Sequence, residues 1–367
     1  MKNKDHLSLC PIHHCSNYAD YSLATLIREF KPKMGYSQFL AHDGFYGITT
    51  AFDVNANVPE KYMYLTQPTV KDVSSVEEAA STLLQKLYEY FINNWNPHEH
   101  HVVLASGGAD SRILLWTLQH LDESMDLGEF KVICSEPEGA LFCKAMQQHG
   151  WPEKLYSVWN DGHFVEDDYF RIGNFDTNVN AFNAPQIEFW PAGVERESTL
   201  VMGLCGGEIL DYPTGKTGYP TDNRFEDLLH MYAPYQLDLY QTYATWKRVL
   251  LPYLSYGYLD AAFRIDKNCF KRGSHAGQSM DAIRARMLAL LGDTTPCYTG
   301  HVYNWNYSQR QAEYIRQRWQ ASRLYKDFKH LAFVKSAMPW TTSGVEQRKV
   351  YDMRLYGLAT AYERAFS

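Results

Sequence analysis

From about residue 70 onward, the apolar positions of this chain switch between helical spacing and short unbroken runs. Residues 74–96 carry leucines and aromatic residues at helical spacing, and Ser74 or Ser75 suits the N-cap ahead of them. Residues 101–105 (HVVLA) instead form a short, β-branched apolar run. This change of period predicts a helix followed by a strand that is buried on both faces.

The same alternation continues over the next hundred residues. Two further helices are predicted at 112–121 and 140–149, and three further strands at 130–135, 155–159 and 199–204. Strands that alternate with helices form parallel sheets, because each helix carries the chain back across the sheet. We therefore predict an α/β fold with a doubly wound, mainly parallel sheet.

Outside this core the pattern is less regular. Residues 35–66 carry short strand-like segments with turn glycines, so residues 1–70 are predicted to form a small β-rich region. After residue 225, aromatic and basic residues recur in helix-like stretches. We expect three regions, namely 1–70, a core at 71–225, and a helical, basic lobe at 226–367.

Composition is that of an ordinary globular protein, with 45% apolar and 21% charged residues. The apolar runs fall far short of the roughly 20 residues that a bilayer-spanning helix needs. The N-terminal residues contain no apolar stretch typical of a secretory signal. We therefore expect a cytoplasmic protein without a membrane partner.

Charge is distributed unevenly along the chain. Residues 1–260 contain 18 Lys and Arg against 34 Asp and Glu, whereas residues 261–367 contain 17 against 8. A basic C-terminal third suits phosphate, pyrophosphate or nucleic acid as a partner. It equally suits docking on the acidic remainder of the same chain.

The strongest chemical signal follows the first predicted strand. Ser106, Gly107, Gly108, Asp110 and Ser111 belong to the sequence SGGADS, where that strand passes into a helix. Adjacent glycines let backbone N–H groups approach an oxyanion, and the helix N-terminus favours negative charge at the same place. The hydroxyls add donors, and the carboxylate suits a divalent metal that bridges phosphates. The loop therefore indicates a nucleotide phosphate site, although it lacks the Lys-Ser/Thr pair of a Walker loop.

This loop resembles the pyrophosphate loop (PP-loop) of the ATP pyrophosphatases, which cleave ATP to AMP and pyrophosphate. Over roughly residues 60–260, the surroundings are similar to the synthetase domain of the asparagine synthetase family. The matching segments lead into the loop or follow it, at 62–64, 130–135, 183–187, 201–208 and, more faintly, 251–254 and 258–260. The resemblance implies the PP-loop type of α/β fold.

The resemblance also implies an AMP-forming, ATP-dependent ligase with Mg²⁺ as a cofactor. A small substrate carboxylate attacks the α-phosphate of ATP, and ammonia or an amine then displaces AMP. Asp110 and Glu208 would be the catalytic residues and the metal ligands. The implied nucleotide-binding residues are those of the loop, its neighbouring helix, the adenine-side strand and the second glycine turn: Ser106, Gly107, Gly108, Asp110, Ser111, Arg112, Ile133 and Gly206. The charge of Arg112 suits a phosphate or the substrate acid, and it equally suits a salt bridge on the helix face.

Several positions depart from the family pattern. Met1 is followed by Lys2 rather than by a nucleophilic cysteine, so we expect no glutaminase domain and an amine supplied from outside. Gly207 stands where a second acid is usual. The family also uses a late lysine to stabilise charge on the transferred phosphate. The sequence does not choose among four basic residues for this role: Lys267, Lys271, Arg272 and Lys335.

Two alternatives stay open at this stage. A PP-loop enzyme that adenylates a nucleobase would use the basic C-terminal third, where residues such as Trp305 and Trp319 interleave with arginines. At helical spacing, such residues are also typical of core packing. A non-catalytic nucleotide-binding relative would account for Gly207 and for the unplaced lysine.

Overall fold

A computed structural model describes the central part of the chain. The residues described are 70–135, 138–159, 198–203, 206–210, 247–298, 317 and 319–330. The β-rich region predicted for the N-terminus lies outside them, apart from residue 70. The segments at 62–64 and 183–187, Lys335 and the side chain of Glu208 also lie outside them.

A five-stranded parallel sheet forms the centre of the described structure. Its strands are β1 (His101–Leu104), β2 (Phe130–Ser135), β3 (Tyr156–Trp159), β4 (Thr199–Met202) and β5 (Arg248–Leu250). They lie in the order β3-β2-β1-β4-β5, and each neighbouring pair is parallel. The predicted α/β fold with a parallel sheet is therefore confirmed.

Burial explains why these short runs become strands. Each residue of β1 and of β4 is buried, including the polar His101 and Thr199. The His101 ring stacks on Trp95 with ring centroids 3.8 Å apart, which covers the polar ring with an aromatic face. Strands covered on both faces are typical of parallel sheets, because connecting helices lie over them.

Helices precede the sheet, connect its strands and follow it. They are α1 (Val76–Asn94), α2 (Ala109–Asp122), α3 (Gly139–Gln148), α4 (Gly206–Leu210), α5 (Tyr256–Phe263), α6 (Ala282–Leu290) and α7 (Arg323–Phe328). Short 3-10 turns lie at Glu153–Leu155, Pro252–Leu254 and Lys267–Cys269. Within the described ranges, every helix is too short or too polar to cross a membrane.

Side-chain caps set where several helices begin. Of the two serines predicted to cap α1, Ser75 takes the role, because its Oγ accepts the Glu78 N–H at 3.1 Å. Asp281 caps α6 in the same way, accepting the Arg284 N–H at 2.8 Å. The C-terminal end of α3 lies where the sequence predicts it. His149 is the C-cap, and Gly150 follows with φ +71°.

The main sheet includes a strand from beyond residue 225, where the second domain boundary is expected. β5 pairs with β4 in the main sheet, and α5 and α6 pack against α1. A hairpin of β6 (Arg272–His275) and β7 (Gln278–Asp281) lies between these two helices. Residues 247–298 therefore belong to the same packed body as the earlier strands. A three-residue strand carries too little periodicity to be predicted from the sequence.

Two glycines with positive φ offer a matched test of the packing. A Cβ on Gly128 (φ +66°) would lie 2.0 Å from the Pro97 carbonyl oxygen, whereas a Cβ on Gly150 (φ +71°) would meet nothing within 4 Å. We expect Gly150→Ala to lower the free energy of unfolding by about 1–2 kcal/mol through backbone strain alone. We expect Gly128→Ala to cost about 1–3 kcal/mol more, because a backbone atom must move. Urea unfolding of both variants measures the difference, and equal losses would contradict this account.

Candidate functional site

The candidate site lies where the strand order reverses. β1 lies between β2 and β4. From β1 the chain continues through β2 to β3 on one side of the sheet, and it later adds β4 and β5 on the other side. In open α/β sheets, ligands bind outside the carboxyl ends of the strands at such a switch point. Residues 105–108 follow β1, and Gly206 and Gly207 follow β4. The topology thus brings both predicted glycine turns to one crevice.

The loop after β1 is held by its own serines. Gly108 N–H donates to Ser106 Oγ at 3.1 Å, and Ser106 Oγ lies 3.1 Å from Ser111 Oγ. Gly108 has extended backbone angles and is the N-cap of α2, which begins at Ala109. The predicted strand, loop and helix are therefore confirmed, with the N-terminus of α2 and its orphan N–H groups at the loop.

The second glycine turn packs directly on Asp110. A Cβ on Gly206 would lie 2.9 Å from Asp110 Cγ and 2.7 Å from Tyr253 Cε2, so only glycine fits at this approach. Tyr253 O–H donates to the Asp110 carbonyl oxygen at 2.7 Å. Tyr253 belongs to the segment at 251–254, which the structure thereby brings to the site. Burial raises the pKa of Tyr253 well above its usual range, and the phenol therefore remains a donor.

An arginine that sequence reasoning missed reaches the same carboxylate. Arg284 Nη1 donates to Asp110 Oδ1 at 3.0 Å, across 174 positions of sequence. Lys267, Lys271 and Arg272 form no hydrogen bond with the loop in the described structure. Nothing in the local sequence around Arg284 signals this contact, because it depends on how α6 packs against α2.

The loop also holds a carboxyl group of the protein itself. Gly107 N–H donates to Glu138 Oε2 at 2.7 Å, while the Gly107 carbonyl oxygen accepts the Tyr298 N–H at 2.7 Å. Burial raises the pKa of Glu138, against the opposing effect of hydrogen bonds from Gly107 and Ser106. Sequence reasoning did not select Glu138. A signal existed, because Glu138 follows β2 and the carboxyl ends of neighbouring parallel strands meet at one edge.

Of the two roles left open for Arg112, the structure shows the salt bridge. Arg112 and Asp293 are both fully buried, and Arg112 Nε donates to Asp293 Oδ2 at 2.9 Å. Arg112 also donates to the carbonyl oxygen of Pro296 at 2.7 Å. Its guanidinium is therefore occupied inside the protein and is not presented to a ligand in the crevice.

Asp293 is the centre of this buried cluster. Burial opposes its ionisation, but hydrogen bonds from His275 and Arg112 outweigh that effect, and the pKa of Asp293 lies well below its usual range. Trp116 Nε1 donates to Asp293 Oδ2 at 2.7 Å. The carboxylate therefore remains charged at neutral pH and joins α2 to the chain that follows α6.

The remaining predicted site residues lie close to the loop in the fold. Ile133 is buried in β2, and its carbonyl oxygen accepts the Ala105 N–H at 2.8 Å. Its predicted contact with adenine stays a prediction. Glu208 lies in α4, directly after Gly206 and Gly207. Its predicted role as a metal ligand is likewise untested by the geometry.

The predicted magnesium site stays a prediction, because the side chain of Glu208, one of its two predicted ligands, lies outside the described residues. Among them, no group of three or more His, Cys, Asp or Glu side chains lies close enough together to hold a metal ion. Asp110 forms an ion pair with Arg284, which also pairs with Asp281. We therefore assign no reaction step to a metal.

Fold and loop together define a class, namely an α/β protein with a parallel sheet and, at its switch point, a glycine loop whose amide donates to a carboxyl oxygen. Comparison with known protein families and with curated proteins gives no match for this chain. The geometry of the site and the resemblance of its motif are therefore what indicate a function for this chain.

The buried ion pair gives a stability prediction. Asp293→Asn removes the charge that balances Arg112, so we expect the free energy of unfolding to fall by about 3–5 kcal/mol. Asp72→Asn is the control, because it breaks an exposed ion pair with Arg264 and should change stability little. Urea unfolding at neutral pH measures both. A loss for Asp293→Asn as small as that of the control would refute the role of the pair.

Glu138 gives a pH prediction. The pKa of Glu138 is raised in the folded state, so the folded protein holds its proton more tightly than the unfolded chain does. The free energy of unfolding therefore falls as pH rises from about 4.5, the usual glutamate pKa, through the raised pKa of the folded state. Glu138→Gln removes this dependence while keeping an acceptor for Gly107. We expect the variant to be more stable than wild type at pH 7.5, with the difference disappearing below that window. Urea unfolding from pH 4 to 8 tests this.

The exposed Glu153 provides the control for that experiment. Glu153→Gln should leave the pH dependence of stability as in wild type. A Glu138→Gln variant that is less stable than wild type at pH 7.5 would show that its ionised carboxylate stabilises the loop instead.

Proposed function

We propose that this protein is an ATP-dependent, AMP-forming ligase of the asparagine synthetase-like, PP-loop type, which acts in the cytoplasm on small metabolites. The observation that carries the proposal is the Gly107 amide, which holds a carboxylate oxygen at 2.7 Å in the loop after β1. A backbone N–H that binds one oxyanion at this distance suits a phosphate oxygen equally. The position at the switch point of the sheet supports the same conclusion.

In this proposal, ATP places its β- and γ-phosphates on the loop. The Gly107 amide would exchange the Glu138 carboxylate for a phosphate oxygen, and the hydroxyls of Ser106 and Ser111 would add donors. The N-terminus of α2 points its partial positive charge at the same place. The adenine would lie toward β2, whose Ile133 is hydrogen-bonded to the start of the loop.

The reaction consists of two displacements. A carboxylate oxygen of a small acid attacks the α-phosphorus, and the bond to the bridging oxygen breaks, so that pyrophosphate leaves and an acyl-adenylate forms. Ammonia or an amine then attacks the acyl carbon, AMP leaves, and an amide remains. Negative charge gathers on pyrophosphate in the first step, where oriented N–H groups stabilise it most. Mg²⁺ when bound would supply further positive charge, with Asp110 and Glu208 as its predicted ligands.

The nucleic-acid alternative gains no support from the described part of the basic C-terminal third. Trp319 is 2% exposed, and its ring packs against Tyr325 with centroids 5.7 Å apart. A buried indole offers no face on which a base can stack. A nucleic-acid substrate therefore enters as one outcome of the assay below.

The first test is the release of AMP and pyrophosphate from Mg-ATP, with a mixture of small carboxylic acids and ammonium. We expect wild type to release both products. We expect Asp110→Asn to lower the rate by about 100-fold or more, because Asp110 links the loop to the Arg284 guanidinium. Asp122→Asn, on the exposed end of the same helix, is the matched control and should behave as wild type.

Two results would overturn the proposal. Release of AMP only when RNA or DNA is added would assign the loop to nucleic-acid modification. Absence of AMP under every condition, with ATP binding intact, would assign the protein to a nucleotide-binding role without catalysis.

A further inference from the structure

Arg284 occupies the space beside Gly207 at the mouth of the loop. A Cβ on Gly207 would lie 2.5 Å from Arg284 Nη1 and 3.1 Å from Asp110 Oδ2. A side chain at position 207 would therefore collide with the guanidinium. The absence of a side chain there is what lets Arg284 reach Asp110, at 3.0 Å.

The guanidinium is held in place before any ligand arrives. Asp281 caps α6 with Oδ1, and its other carboxylate oxygen accepts a hydrogen bond from Arg284 Nε. The Arg284 side chain is only 15% exposed, and that of Asp110 is 27% exposed. An arginine fixed at its Nε and largely removed from water loses little freedom when it binds an anion.

Arg284 places one positive charge between the carboxylates of Asp281 and Asp110 at this corner of the crevice. With Gly207 and Arg284, the protein itself supplies a cation within reach of the loop. Guanidinium N–H groups also match phosphate oxygens in geometry, since two of them can donate in parallel.

We propose that Arg284 binds the pyrophosphate group at the SGGADS loop, and that the loop therefore binds pyrophosphate without a divalent metal. This inference rests on the proposed function, because it takes the ligand of the loop to be a pyrophosphate. It deepens that function by naming the residue that supplies the positive charge. Asp110 then orients Arg284, and Arg284 contacts the ligand.

Calorimetric titration of the full chain with inorganic pyrophosphate in EDTA tests the proposal. We expect wild type to bind, and we expect the affinity to change less than about threefold when EDTA is replaced by MgCl₂. Arg284→Gln should weaken binding by about 10- to 100-fold, the loss typical of one charge-assisted contact. Arg284→Lys keeps the positive charge but lacks the paired N–H donors. Its affinity for pyrophosphate should lie between those of wild type and Arg284→Gln.

Arg286→Gln is the matched control. Arg286 lies two residues further along α6, is 41% exposed and pairs with Glu77 on α1. We expect this variant to bind pyrophosphate as wild type does. Thermal unfolding of each variant shows whether a loss of binding reflects a loss of folding.

A second variant tests the same idea in the opposite direction. Gly207→Asp should displace the guanidinium and add an acid, so that pyrophosphate binding becomes dependent on Mg²⁺. Wild-type binding that requires Mg²⁺, or full binding by Arg284→Gln in EDTA, would overturn the proposal. Binding through Arg284 in a protein that releases no AMP would leave this inference standing and refute the ligase alone.

Discussion

The buried ion pair between Arg112 and Asp293 determines how the site is assembled. Arg112 lies in the first turns of α2, two residues after Asp110, and Asp293 follows the end of α6, which carries Arg284. Burying either charge without the other costs free energy. The ion pair therefore holds α2 against the end of α6. The contact between Asp110 and Arg284 is a consequence of that arrangement. The crevice therefore depends on an interaction that never meets a ligand.

Groups of the protein itself contact the loop in the described structure. Glu138 accepts from the Gly107 amide, and Arg284 pairs with Asp110. A ligand of such a site exchanges partners and does not fill an unsatisfied cavity. Its affinity is then the difference between two sets of hydrogen bonds, which is smaller than either set alone. These contacts also explain how the fold keeps such a loop in place through its own groups.

Local features of this chain could be predicted from sequence because their causes are local. Ser75 caps α1 and SGGADS joins a strand to a helix, each through contacts within a few residues, and the buried strand β1 is itself a continuous apolar run. Strand β5 could not be predicted from its three residues, because it is a strand only by virtue of its pairing with β4. Arg112 was ambiguous for a related reason, since the face of α2 that carries it is covered by a segment 181 residues away. The contact of Arg284 is similarly distant, and no local pattern encodes it.

The two ion pairs that join α2 to α6 and to the segment after it span 174 and 181 positions of the chain. Contacts of such long range close only after much of the chain has been ordered, and they are associated with slow folding. During synthesis, β1, β2, β3 and β4 leave the ribosome well before Asp293 does. Until then, Arg112 has no buried counter-charge, and α2 cannot pack fully against the sheet without stranding a cation. The order of residues along the chain thus delays the burial of α2 until the segment after α6 has been made, and couples the formation of the core to the formation of the site.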